Sequence, residues 1–161
     1  MSKFIVAMAV LLAFLDNAYA GAPKVGQKAP DFSVTSTKGE KLTLSSLKGK
    51  VVLMGMFHIC VPCMNQAMEF EQVRKKVSSD ALVIIGINTH GDSKADVLDY
   101  LSKFPEPVNF SYYLDPDMHV YKSYIQHDMP TVLVIDKEGV IRSRTSSIGA
   151  DQLASLVKKL L

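Results

Sequence analysis

Three uninterrupted apolar runs, at Val51–Phe57, Ala81–Ile87 and Thr131–Ile135, decide what this chain can fold into. A strand with one wet face alternates polar and apolar residues, whereas a continuous run suits a strand buried on both faces. Between the first two runs, Ala67, Phe70, Val73 and Val77 recur at helical spacing, and Lys75 and Lys76 close that helix where its dipole favours cations. Asp92-Ser93 can cap a second helix running to about Phe104, which Pro105 and Pro107 break. Asp115-Pro116-Asp117 is a turn before a short helix through Tyr124. Lys137-Glu138-Gly139 turns into a strand over Val140–Arg144, and Leu153, Leu156, Val157 and Leu160 line one face of a last helix. Upstream, Phe32–Thr35 and Lys41–Leu44 flank Thr37-Lys38-Gly39 as a β-hairpin. Strands alternating with helices predict an α/β sheet covered on both sides. The 161 residues suffice for one domain, and 18 basic against 16 acidic residues leave no electrostatic footprint for nucleic acid.

Residues 1–20 read as a segment outside that domain. Lys3 supplies a positive start, Phe4–Leu15 is an unbroken apolar run, and Ala18-Tyr19-Ala20 offers small residues at a cleavage site. This is the layout of a secretory signal peptide cleaved after Ala20, leaving a domain over residues 21–161. A membrane anchor would need ~20 apolar residues. The expected destination is the periplasm or another exported compartment, where disulfide chemistry is permitted.

The chain has two cysteines, and they stand together as Cys60-Val61-Pro62-Cys63 at a strand-to-helix junction. Free N–H groups and the dipole at a helix start stabilise a thiolate, which is the reactive form of cysteine. Cys63, one turn further in, is expected to be more buried and to attack a mixed disulfide formed at Cys60. A four-thiolate zinc site would need a second cysteine pair that the chain lacks. A purely structural bridge over so short a loop stabilises little. The second feature is Met129-Pro130-Thr131. Pro130 directly precedes an apolar strand, so it belongs to a strand start or a bulge. A cis bond would let the Met129 backbone meet a substrate strand, and a plain loop proline is the equal alternative.

These motifs, with Val25-Gly26-Gln27-Lys28-Ala29-Pro30-Asp31-Phe32, Leu47-Lys48-Gly49-Lys50-Val51-Val52-Leu53 and Val134-Ile135-Asp136-Lys137-Glu138-Gly139, resemble the TlpA/ResA branch of thioredoxin-fold proteins within the redoxin (AhpC-TSA) superfamily. The resemblance implies a thioredoxin fold: a four- or five-stranded mixed sheet flanked by helices, with an N-terminal hairpin extension and a cis Pro130. It also implies that Cys60 is the nucleophile and Cys63 the resolving thiol, with Met129 and Pro130 at the substrate. No cofactor beyond the Cys60–Cys63 disulfide is implied. The family's usual work is reduction of disulfides outside the cytoplasm, apocytochrome c among them, with electrons from a membrane thiol transporter. A monomer working on protein thiols is the expectation.

Three positions depart from the family pattern. Ile59 replaces the Trp common before the first cysteine, Gln66 replaces a buried Glu, and Met54 stands where cytoplasmic thioredoxins keep an Asp. Both usual proton-handling carboxylates are therefore missing. Gln66 lies three residues after Cys63, on the same helical face, and is expected to approach that thiol. His58 is expected to modulate Cys60 as a neighbouring cation. The alternative reading is a Sco-like copper-delivery protein using Cys60, Cys63 and His127, since thiolate and imidazole are ligands for Cu(I). A thiol peroxidase is disfavoured, because Met56-Phe57-His58-Ile59 lacks the Pro and hydroxyl that peroxiredoxins place before their cysteine.

Overall fold

A computed structural model describes residues 21–161. The signal-like segment, residues 1–20, lies outside the described residues. The strands are β1 (Ser33–Ser36), β2 (Lys41–Thr43), β3 (Val51–Phe57), β4 (Leu82–Asn88), β5 (Ser111–Leu114), β6 (Thr131–Ile135) and β7 (Ile141–Thr145). The helices are α1 (Val61–Lys76), α2 (Lys94–Ser102), α3 (His119–Ser123) and α4 (Ala150–Lys158). All strands join one mixed sheet in the order β2-β1-β5-β4-β3-β6-β7.

The continuous apolar run of β3 is buried at every position, as a central strand must be. It pairs in parallel with β4 and antiparallel with β6. Its side chains alternate between two cores. Val51, Leu53 and Phe57 face a core shared with Phe70 of α1, Val97 of α2 and Leu153 of α4. Val52, Met54 and Met56 face the other, with Phe32, Tyr124 and Leu133.

The expected sheet of four or five strands is too small. The hairpin β1–β2 is part of the sheet, because β1 pairs antiparallel with β5. The segment Ser111-Tyr112-Tyr113-Leu114 is a strand that the sequence reading passes over. It has four residues and runs into Asp115-Pro116-Asp117, too short for a periodicity to register. The second helix also stops at Ser102, short of Phe104.

Two glycines face each other across the middle of the sheet, Gly55 on β3 and Gly86 on β4. A Cβ at Gly55 would lie 2.1 Å from the Phe57 ring, and one at Gly86 would lie 2.9 Å from the Tyr112 ring. The missing side chains make the floor on which Phe57 and Tyr112 stack, with centroids 6.0 Å apart. Phe57 is thereby seated directly before the strand-to-helix junction.

Glu71 of α1 is wholly buried. Its carboxylate accepts hydrogen bonds from Arg74 at 2.8 and 2.6 Å, and from the Asn109 backbone and side chain at 3.0 Å each. Burial pushes this carboxyl up, but the Arg74 and Asn109 donors outweigh it and hold it at about 2. A carboxylate held below its unfolded value stabilises the fold above that value, and the contribution fades as pH falls. Glu71→Gln should therefore cost about 2 kcal/mol at neutral pH. Chemical denaturation should show that gap closing between pH about 4.5 and about 2. An unchanged gap across that range would mean that the Glu71 charge does not hold the loop at Asn109.

Candidate active site

Because β3 and β4 run in parallel and β6 runs against them, the ends of β3 and β4 and the start of β6 share one sheet edge. That edge carries the Cys60–Cys63 turn after β3 and Pro130 before β6. Cys60 is the N-cap of α1, in extended backbone, and Pro62 occupies the first helical turn, where a missing N–H costs nothing. The Cys60 Sγ accepts the Cys63 N–H at 3.3 Å. Both thiols are free; Cys60 is part-exposed and Cys63 is buried. Burial, then the hydrogen bond with Cys60, pushes the Cys63 thiol well up, while a hydrogen bond from the His58 N–H, at 3.2 Å, pulls the other way.

Tyr100 of α2 donates its hydroxyl to the Cys60 carbonyl at 2.7 Å, and that carbonyl also accepts the Met64 N–H at 3.0 Å. Burial raises the Tyr100 phenol, so it stays a donor at neutral pH. On the other side, the Met129–Pro130 bond is cis; Pro130 is buried and Met129 is exposed. The loop before Pro130 hangs on Gln126, a buried residue that sequence reasoning misses. Its amide donates to the carbonyls of Met56 and Asp128 at 3.2 Å each and accepts the Thr89 hydroxyl at 2.6 Å. One side chain thus links the ends of β3 and β4 to the cis-proline loop. No sequence pattern marks it, since its partners are up to 70 residues away.

Two expectations change. His58 is buried and its ring lies 4.3 Å from that of His90. Burial, then the neighbouring His90, lowers its pKa to about 4, so the imidazole is neutral at pH 7 rather than a cation beside Cys60. It reaches the thiols through its backbone, by the bond to Cys63. Gln66 is buried too, but its amide is committed to the Ile148 backbone, donating to the carbonyl and accepting the N–H at 2.9 Å each. Beside it, Glu69 accepts the Ala150 N–H at 2.6 Å and so caps α4. Gln66 and Glu69 fasten the start of α4 to α1. Met54 is fully buried in the core under the sheet.

The copper set is not assembled. His127 is exposed, and among the described residues no three His, Cys, Asp or Glu side chains are placed to hold a metal ion. Cys60, Cys63 and His127 therefore offer no preformed ligand cage.

The Gln66 pairing is specific to an amide. Glu at this position would keep the acceptor for the Ile148 N–H but set a carboxylate against the Ile148 carbonyl. Gln66→Glu should cost about 2 kcal/mol at pH 7. Its buried carboxyl would titrate above the unfolded value of ~4.3, so the loss should shrink as pH falls through the folded value and the acid form donates to Ile148. Thermal melts at neutral and mildly acid pH read this directly. Equal melting temperatures at pH 7 would show that the amide pairing contributes nothing.

Comparison with known proteins bears on the chemistry of this edge. The AhpC/TSA family matches residues 25–144. Thiol-disulfide oxidoreductase ResA of Bacillus subtilis (strain 168) is 31% identical over 126 residues, covering 76% of this chain and 69% of that protein. Thioredoxin-like protein YneN of the same organism is 29% identical over 119 residues, covering 73% and 68%. Among solved structures, the thioredoxin domain of a thiol-disulfide oxidoreductase from Bacteroides vulgatus superposes with a TM-score of 0.74 at 22% identity, covering 86% of this chain and 98% of that one. A secreted Mycobacterium tuberculosis disulfide oxidoreductase homologous to E. coli DsbE gives 0.66 at 22% identity, covering 80% and 96%. These last two show the fold. With the cysteine pair at the helix start and the ResA relationship, they lead to one conclusion: the chain belongs to the AhpC/TSA family and is a thiol–disulfide oxidoreductase of thioredoxin fold.

Proposed function

We propose that this protein is an exported, monomeric reductant of disulfides in client proteins, with Cys60 as nucleophile and Cys63 as resolving thiol. The observation that carries this reading is the asymmetry of the pair: Cys60 is reachable, while Cys63 is 1% exposed with a raised thiol. Ile59 and Val61, on either side of Cys60, and Met129, before the cis proline, are exposed apolar side chains, suited to a polypeptide client. The Cys60 sulfur attacks one sulfur of the client disulfide, forming a Cys60–client bond and releasing the other client cysteine as a thiol. Cys63 then loses its proton to water and attacks the Cys60 sulfur. The second client thiol leaves, the client has gained two electrons and two protons, and the pair has become the Cys60–Cys63 disulfide. Met129 and Pro130 border the approaching client strand. No further cofactor is required.

Reduction, rather than oxidation, of the client is the direction supported by the resemblance to the TlpA/ResA branch. Export is supported by the layout of residues 1–20, and no described helix is long and apolar enough to cross a membrane. Apocytochrome c is a fitting client and a membrane thiol transporter a fitting electron source.

The equilibrium of the Cys60–Cys63 pair against glutathione tests the direction. A potential near about −270 mV or below is expected; one near about −120 mV would make the protein an oxidant. The division of labour has its own test. Cys63→Ala should accumulate mixed disulfides through Cys60, and the reduced protein should be alkylated first at Cys60. Equal trapping through Cys63 in a Cys60→Ala variant would reverse the assignment.

A further inference from the structure

A cleft opens on the α2 side of Cys60. Part of its lining is apolar, made by Ile59, Val61, Met64 and the ring of Tyr100. The rest is acidic, made by Asp92, Asp96 and Asp99. Among the described residues the one cation lining it, Lys103, is held by Asp99 at 2.6 Å. Among the described residues the other two carboxylates have no lysine or arginine paired with them. Asp96 accepts the Ser93 hydroxyl at 2.6 Å, and Asp92 accepts the Asn88 amide at 2.8 Å. Both partners are neutral, and the nearest ionisable neighbour of Asp92 is His90, at 3.6 Å. The occupant is set by the chemistry, since Cys60 lines the same cleft and a client cysteine must come within bonding distance of its sulfur. The opposite flank of Cys60 differs. There the surface holds Pro62, Asn65 and Pro130, and its one carboxylate, Glu69, is committed to the Ala150 N–H.

We infer that this cleft selects clients by charge, taking an extended segment with Arg or Lys beside the cysteine that Cys60 attacks. The aliphatic stem of such a side chain covers Val61 and Tyr100 while its cationic end reaches Asp92 and Asp96. The exposed apolar side chains give contact area to any client; the carboxylates discriminate among them and steer the encounter. This inference rests on the client-directed reading of Cys60 given above. Its direction of electron flow is immaterial, because the same mixed disulfide lies on both paths.

Three synthetic peptides of equal length test it, each with an internal disulfide and with Arg, Ala or Glu flanking the first cysteine. Reduced protein is mixed with each disulfide peptide, and oxidised protein with each dithiol peptide, and the second-order rates are measured. The Arg peptide should react about fivefold faster than the Ala peptide, and the Glu peptide slower than both. That spread should collapse at about 1 M salt, where the screening length is about 3 Å. Asp92→Asn with Asp96→Asn should bring the rate ratio of the Arg and Glu peptides close to one. Equal rates for the three peptides in the unaltered protein, or a ratio that survives the double substitution, would overturn the inference. The unaltered protein and its salt response decide the matter even if the double variant folds poorly. An error in direction would show differently, as an equilibrium lying toward oxidised peptide with the charge preference intact. Failure to exchange with any peptide would sink the client reading itself.

Discussion

Everything at the reactive edge depends on the placement of β3 between a parallel and an antiparallel neighbour. A strand with no polar residue can be satisfied only in the middle of a sheet covered on both faces. Once there, its exit must be shared with the end of β4 and the beginning of β6. The cysteine turn, the residues after β4 and the cis-proline loop are thus gathered by hydrogen-bond register before any of their side chains interact. The Gly55–Gly86 pair refines this by letting two aromatic rings lie flat on the sheet under the junction.

Buried and part-buried polar side chains then fasten to this frame the segments that hydrophobic burial would leave loose. Gln126 suspends the proline loop, Gln66 and Glu69 seat the start of α4, and Glu71 anchors the segment at Asn109. Each joins a side chain to backbone groups far away in sequence, and each is an acceptor or donor that would be costly to leave unpaired. Three of the four lie on α1, the helix that carries Cys63. That helix is at once the redox element and the fixture to which the periphery is bolted.

The parts of the fold that were legible are those with a local signature. The runs at 51–57 and 131–135 are strands with the expected ends, and the run at 81–87 is displaced by one residue. Ser93 is the N-cap foreseen for α2, and the hairpin turn lies at Thr37-Lys38-Gly39 as expected, with Gly39 at positive φ. β5 escaped because four residues cannot display a period, and its strand character comes from pairing with Ile85–Asn88. At the site, the cysteine pair and its helix junction were legible, and the cis proline became so only through resemblance. His58 and Gln66 were misread for one reason: their roles depend on what lies against them. His90 packs on the first, and Ile148, 82 residues away, pairs with the second.

The depth of Cys63 has a consequence for time. In the mixed disulfide Cys60 no longer carries a thiol, so its share in raising Cys63 disappears, but burial, the larger cause, remains. The resolving sulfur must still give up its proton from a buried position. On the proposed division of labour, capture begins at a part-exposed sulfur and release waits on a buried one. The dwell of the client on Cys60 would then be the interval in which a poorly fitting one can be returned by exchange with another thiol.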